Sequence, residues 1–319
     1  MSLSMLACQQ NAKQQTKQQT ELGKYSATDA RGKVITLNKE AERVVVLFRP
    51  IVDEIFMLQA NKKIIGVPEQ AYEIASGYEY FAKVDPRFAN KEIPTPTFGG
   101  RANNIESIIG LAPDLVIISD QEKESIQQLE DLNIPVFAAS SLNKESIYAE
   151  LLGIGKLLGR EERANKIIKT VDDNLKNLET PEGQKPKRVY YAWSNGRILS
   201  TSGKGSQIDV VINMAGAENV CDLGMENPNI GAELLYSWNP DLIILWNSVP
   251  DDVYKLKELS ALPAVKNKAV RILSPSFNYD PHTVKFILFA KQVHQWCYGN
   301  GSESEIQAEN EAILNELYN

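Results

Sequence analysis

One segment occurs twice in this chain, and it restricts the fold more than any other feature. Glu106 followed by Pro113-Asp114-Leu115-Val116-Ile117 is matched, at identical spacing, by Glu233 followed by Pro240-Asp241-Leu242-Ile243-Ile244. Two copies separated by one long interval imply two like-folded units rather than a solenoid of short repeats. The local physics is the same in both. A proline cannot extend a helix and biases the residue before it away from helix, so a short helix stops there and the Asp-Leu step opens a buried strand.

Strand-like runs flank both copies. Val34-Ile35-Thr36-Leu37 follows a Gly-containing turn, Asp29-Ala30-Arg31-Gly32-Lys33, and alternates as a strand does. Arg43 to Leu47, Ile64 to Val67, Leu115 to Ile118 and Pro135 to Ala138 are continuous apolar runs separated by helical spacing, the pattern of a parallel βα sheet. From Asn143 to Leu178 the apolar positions keep helical spacing, with Asn143 as N-cap and Gly159 as the point where the segment can break in two. Unbroken, it would reach roughly 50 Å. Strand-like runs resume at Arg188 to Tyr191, Leu242 to Leu245 and Ala269 to Leu273. The expected fold is therefore α/β, with two βα sandwich lobes joined by a single long α-helix. Its parts are a tether over 1–22, an N-terminal lobe over 23–142, the interlobe helix over 143–180 and a C-terminal lobe over 181–319.

Length and composition agree with this and exclude several functions. At 319 residues, with 43% hydrophobic and 24% charged residues, the chain suits two packed domains. No apolar run approaches the ~18 residues that span a bilayer. The net charge of −7 argues against a nucleic-acid surface, which needs clustered Lys and Arg.

Three cysteines, Cys8, Cys221 and Cys297, are too few and too scattered for a disulfide framework or a CxxC zinc site. Met5-Leu6-Ala7-Cys8 is similar to the end of a bacterial lipoprotein signal, which makes Cys8 the expected lipidation site. The signal's basic and long apolar parts do not precede it, so Met1-Ser2-Leu3 is expected to be a foreign start and is excluded from the fold. Gln9 to Glu21 is nearly all polar and cannot bury enough apolar area to order itself. The competing reading is an ordinary unstructured N-terminus with a chance cysteine.

The Asp-Ala-Arg-Gly-Lys turn, the Arg43 strand and both Glu…Pro-Asp-Leu segments together make a specific pattern. So do Leu157-Leu158-Gly159-Arg160-Glu161-Glu162 and Gly203-Lys204-Gly205-Ser206 ahead of Met214-Ala215-Gly216-Ala217-Glu218-Asn219-Val220. From about Tyr25 to Tyr298 the chain resembles the helical-backbone class, class III, of periplasmic binding proteins. That class serves ABC importers of ferric siderophores, haem, cobalamin and some oxyanions. The resemblance implies that Glu106 and Glu233 engage the permease and that the helical strut limits hinge closure. A bland reading stands beside it. A carboxylate in the first turn of a helix is favoured by the macrodipole. Asn103 with Glu106 fits a capping box, whereas Ile230, three residues before Glu233, cannot cap.

Ligands of open βα sheets bind beyond the carboxyl ends of strands. In this chain those places hold Arg49, Arg101, Tyr191, Trp193, Arg197, Trp246 and Tyr279, with His282 nearby. Arginine forks suit carboxylate, catecholate or oxyanion groups, and aromatic faces suit ring systems. Each arginine has a surface salt bridge as its alternative, and Tyr191 and Trp193 have core packing. Tyr190 and Tyr191 point to opposite faces of their strand, so at most one faces a ligand.

Only His282 and His294 are present, too few for a bare zinc or manganese site, and no metal site and no cofactor is expected. His294 lies in an apparent helix as a packed or solvated residue. His282 precedes that helix, where it either contacts ligand or simply shapes the turn.

No GxGxxG, P-loop, HExxH or GxSxG occurs, so an enzyme is not expected; Gly203-Lys204-Gly205-Ser206 lacks the upstream glycine of a phosphate loop. The expected function is capture of an iron chelate of ferric-siderophore type and its delivery to permease subunits by a monomer. The protein is expected in the periplasm or at the cell surface, touching the membrane only through an N-terminal lipid. Haem, cobalamin and molybdate-type oxyanions are alternative ligands. A metal-insertion enzyme or cofactor scaffold on the same lobes is the remote alternative.

Overall fold

The computed structural model describes residues 24–73, 75–98, 102–193 and 195–319, and these fall into two compact units. The first runs to Ser141 and adds Glu145–Ile167 and Tyr318; the second holds Leu142–Lys144, Ile168–Leu317 and Asn319. Among the described residues no helix is long and apolar enough to cross a membrane.

The first unit opens with a hairpin, β1 (Ser26–Thr28) against β2 (Val34–Thr36). Its main sheet is parallel, in the order β4-β3-β7-β8. The strands are β3 (Val44–Val46), β4 (Ile64–Gly66), β7 (Leu115–Ser119) and β8 (Val136–Ala139). A second antiparallel pair, β5 (Thr97–Phe98) and β6 (Ala102–Asn103), lies between β4 and β7 in the chain. The three valines of β3 are fully buried, as β-branched residues covered on both faces of a parallel sheet should be. Helix α1 (Arg49–Met57) follows β3, α2 (Ile105–Gly110) precedes β7, and α3 (Lys123–Asp131) links β7 to β8. Ile108, Ile126 and Leu129 from these helices pack on Val45, Val116 and Ile118 of the sheet.

The helical stretch, with its possible break at Gly159, is two helices, α4 (Lys144–Leu157) and α5 (Glu161–Leu175). Gly159 at φ +68° is the reason. Gly159 N donates to Lys156 O (3.2 Å) and Arg160 N to Gly155 O (2.6 Å), the paired bonds by which a left-handed residue closes a helix. A Cβ at Gly159 would run into the Glu40 carboxylate. The boundary between units falls inside α5, at Ile167/Ile168, so α4 belongs to the first unit. The helical stretch drawn at 143–180 thus contributes residues to both units.

The same corner holds a buried lysine. Lys63 Nζ donates to Glu40 Oε2 (2.9 Å), Ala41 O (3.0 Å), Glu42 Oε1 (3.1 Å) and Leu158 O (3.1 Å), and it holds the Glu40 carboxyl below its usual range.

Asp85 is a second buried charge, its side chain wholly covered. It caps the turn Pro86–Ala89 through Arg87 N (3.1 Å) and accepts from Asn61 Nδ2 (2.9 Å), Lys62 Nζ (3.2 Å) and the Arg87 guanidinium (2.8 Å). Burial raises its pKa, but these donors outweigh that and hold it well below the carboxylate range. Because the folded pKa is depressed, the stabilisation is complete above the unfolded value of about 3.9 and is lost as pH falls below it. Asp85→Asn is expected to flatten the loss of stability from about pH 4 downward. Urea midpoints across that range check this; an unchanged acid limb would show that Asp85 contributes nothing to it.

The second unit repeats the plan. Its parallel sheet runs β10-β9-β11-β12, with β9 (Arg188–Ala192), β10 (Glu218–Asn219), β11 (Leu242–Trp246) and β12 (Val270–Leu273). Helices α6 (Gln207–Met214), α7 (Ala232–Trp238), α8 (Phe286–Tyr298) and α9 (Glu303–Tyr318) accompany it. Tyr190 and Tyr191 do face opposite ways. Tyr190 lies 6.4 Å from Trp238 with its hydroxyl on Ile198 O (2.8 Å), and Tyr191 lies 6.3 Å from Phe289 of α8.

The repeated Pro-Asp-Leu step has one job in both units. Asp114 accepts from Glu42 N (2.8 Å) and Arg43 N (2.9 Å), and the Arg43 guanidinium donates to Leu111 O (2.6 Å) and Ala112 O (3.0 Å). Asp241 accepts from Arg188 N (2.9 Å), and the Arg188 guanidinium donates to Trp238 O (2.9 Å). Each aspartate pins the start of the neighbouring strand while that strand's arginine caps the helix end.

Candidate functional site

The second unit gathers four aromatic rings near the carboxyl ends of its strands. Trp193 leaves β9 with its backbone N on Ser200 O (2.9 Å) and its indole Nε1 on Thr201 O (2.9 Å), so the half-buried ring is locked with its polar atom already used. Tyr191 lies edge-on beneath it at 5.5 Å. Phe289 stacks on Tyr191 at 6.3 Å and on half-buried Trp246 at 6.5 Å. Trp193, Tyr191, Phe289 and Trp246 thus touch in series, with a half-buried tryptophan at each end. The Tyr191 hydroxyl stays protonated, since burial first and the Asp280 carboxylate second push its pKa well up.

Arg197 is exposed on the adjoining turn, where Asn195 sits at φ +62°. The turn is tied to the end of β11 by Asn195 N to Asn247 O (3.2 Å) and Gly196 N to Ser248 Oγ (3.1 Å). His282 is half-buried, and its turn is shaped by its own N donating to Asp280 Oδ1 (3.0 Å). Tyr279 departs from the group. Its hydroxyl lies with Gln292 (3.4 Å) and Asn310 (3.4 Å), between α8 and α9. His294 is a packed helix residue, Nδ1 to Ala215 O at 3.1 Å.

In the first unit Arg49 opens α1 directly after β3, half-buried beside Pro50. Arg101, like Cys8 and the tether, lies outside the described residues. Besides Lys63 and Asp85, sequence reasoning passed over further buried charges. Asp53 and Glu54 sit in the apolar run Ile51 to Met57 with 1% and 0% exposure, and Lys285 is fully buried ahead of Phe286, its Nζ 3.3 Å from the Phe277 ring centre. The signal was there: a charged residue inside an apolar stretch is retained only where something holds it. Burial of Tyr80 and, after it, the Asp53 carboxylate push that phenol far up.

Glu106 and Glu233 occupy matching places, the second residue of α2 and of α7, and both are exposed. The capping box expected at Asn103 is absent. The N-cap is Asn104, accepting from Ser107 N (3.1 Å), while Asn103 Nδ2 donates to Glu122 (3.2 Å) and Ser125 (3.1 Å). The other helix starts at Gly231 without a side-chain cap. Capping therefore explains neither glutamate.

A nucleophilic thiol is not offered by the described cysteines. Burial raises the Cys221 thiol and pushes Cys297 up to about 12, leaving no thiolate at neutral pH. Among the described residues no group of three or more His, Cys, Asp or Glu could hold a metal ion.

Two parallel-sheet units, each with its repeated Glu…Pro-Asp-Leu segment, define a helical-backbone solute-binding protein of the kind that serves ABC importers. The chain belongs to the periplasmic binding protein family, whose model matches residues 44–276. It is similar to the ABC transporter substrate-binding lipoprotein YvrC of Bacillus subtilis, 23% identical over 81% of each chain. It is also similar to a cobalamin-binding protein of Halobacterium salinarum, 25% identical over 68% of this chain and 57% of that one. Among solved structures, a periplasmic solute-binding protein from Veillonella parvula superposes with a TM-score of 0.77 at 25% identity, covering 92% of each chain. Proteins of this family are extracytoplasmic transport components that pair with permease subunits.

Proposed function

We propose that this chain captures a metal chelate and delivers it to its permease, and that the chelate is a corrinoid rather than the ferric siderophore expected from sequence. The locked Trp193 face and the Trp246 face beside Phe289 carry this reading. Rigid aromatic planes suit a broad, largely apolar macrocycle. The cobalamin-binding relative is consistent with it. Exposed Arg197, on the turn beside Trp193, favours the second reading, a ferric catecholate, because a guanidinium fork matches anionic oxygens. Glu106 and Glu233 are the permease contacts in this proposal, and Cys8 carries the lipid.

Equilibrium dialysis read by visible absorbance tests the ligand with four probes: cyanocobalamin, a ferric tris-catecholate, haemin and molybdate, the last assayed by metal content. Cyanocobalamin is expected to bind saturably, and Trp193→Ala to weaken it about tenfold, the order of one lost aromatic contact. Saturation by the catecholate alone would transfer the assignment to the second reading. Binding of none of the four would overturn the proposal.

A further inference from the structure

Each sheet ends on a strand equivalent by the repeat, β8 in the first unit and β12 in the second, and their outer edges differ. Val116 N bonds Pro135 O and Asp120 N bonds Ala139 O, so alternation turns the peptide groups of Val136 and Ala138 outward. Those groups are taken. The Arg31 guanidinium reaches Val136 O (3.5 Å), Ala138 N donates to Asp29 Oδ2 (3.2 Å), and Ala30 N donates to Ala138 O (3.0 Å). In β12, Ile243 N bonds Ala269 O, which turns Val270 and Ile272 outward in the same way. Val270 O accepts from the Arg271 guanidinium (3.1 Å), the counterpart of Arg31. Ile272, the counterpart of Ala138 by register, has neither its N–H nor its C=O engaged among the described residues.

A cavity of about 640 Å³ lies against that edge, walled by Leu288 and Trp296 of α8 and Ile306 and Leu314 of α9. Gln292 of α8 and Asn310 of α9 line the same cavity, both more than nine-tenths buried. Asn310 Nδ2 donates to Gln292 Oε1 (3.0 Å). However the two amides are turned, this pairing leaves one NH₂ and one C=O without a hydrogen bond among the described residues. The cavity therefore offers a donor and an acceptor on each of two walls, the pattern that a peptide group satisfies from both sides.

We infer that the cavity receives an extended segment of a partner polypeptide, added to the β12 edge as the Asp29-Ala30 turn is added to β8. The four residues of β12 span ~13 Å, so about four residues of the partner engage. Glu303 and Glu311 line the cavity against the single charge of Arg271, which is bonded to Lys268 O and Val270 O, and this acidic balance calls for a neutral or basic segment. The inference does not depend on which chelate is bound.

The probe is a capped peptide of this chain's own Ser26–Val34, whose Asp29–Arg31 part meets β8. In the free protein the Ala138 amide is expected to exchange slowly and the Ile272 amide fast. Added peptide should protect Ile272 and shift the Trp296 indole resonance, and Gln292→Met should weaken binding about tenfold. Slow Ala138 exchange in that variant certifies its fold, and Asn310→Leu provides a second variant. Slow exchange of Ile272 in the free protein would overturn the inference, as would millimolar peptide that leaves Ile272 and Trp296 unmoved. Protection of Ile272 that instead tracks dimer formation in sedimentation would assign the edge to a second copy and overturn it equally.

Discussion

Replacing Glu106 and Glu233 together by alanine is expected to abolish stimulation of the permease's ATPase while leaving chelate affinity within about twofold. The two carboxylates stand at the same position of equivalent helices, exposed, and neither serves as a cap: α2 is capped by Asn104, and α7 does without a side-chain cap. Removing them costs the short helices only a few tenths of a kcal/mol through the dipole. Losing a charge that becomes paired and desolvated on docking costs about 2–5 kcal/mol each. Reconstituted transporter decides the matter: full stimulation by the double variant would end the docking role, and a parallel loss of chelate binding would place the glutamates at the ligand instead.

Lys63→Met is expected to lower unfolding free energy by about 3 kcal/mol. Lys63 is 8% exposed and ties Glu40, Ala41, Glu42 and Leu158 to one ammonium. The carboxylates are half-exposed, with side-chain exposures of 37% and 50%, and can rehydrate, so the loss falls on the two carbonyls and on the corner they hold at Gly159. Urea denaturation at neutral pH measures it. A change below about 1 kcal/mol would mean that water replaces the ammonium fully.

The main strands of both sheets were readable because a strand buried on both faces needs a continuous apolar run, and Val44 to Val46 or Leu242 to Leu245 has no competing pattern. Short β10 and the β5-β6 pair were not, since two residues carry no period. The break at Gly159 was visible only as an option. It became a fact because Leu158 O, Glu40 and Lys63 converge there. The site was legible in part. Trp193 and Trp246 follow their strands as expected, but Tyr279 turns to Gln292 and Asn310, because residues after a strand enter loops whose direction is set by what they meet.

By itself the sequence determined that there are two units and that each repeats a helix-stop and strand-start, because these depend on residue order and local sterics, and its motifs resembled the family to which the chain belongs. The tertiary structure alone decided what Asp114 and Asp241 are for, that neither Glu106 nor Glu233 serves a capping box, and that Ile272 lacks, among the described residues, the partner Ala138 has. Those facts depend on hydrogen bonds between residues far apart in the chain, and no local pattern encodes where such partners meet.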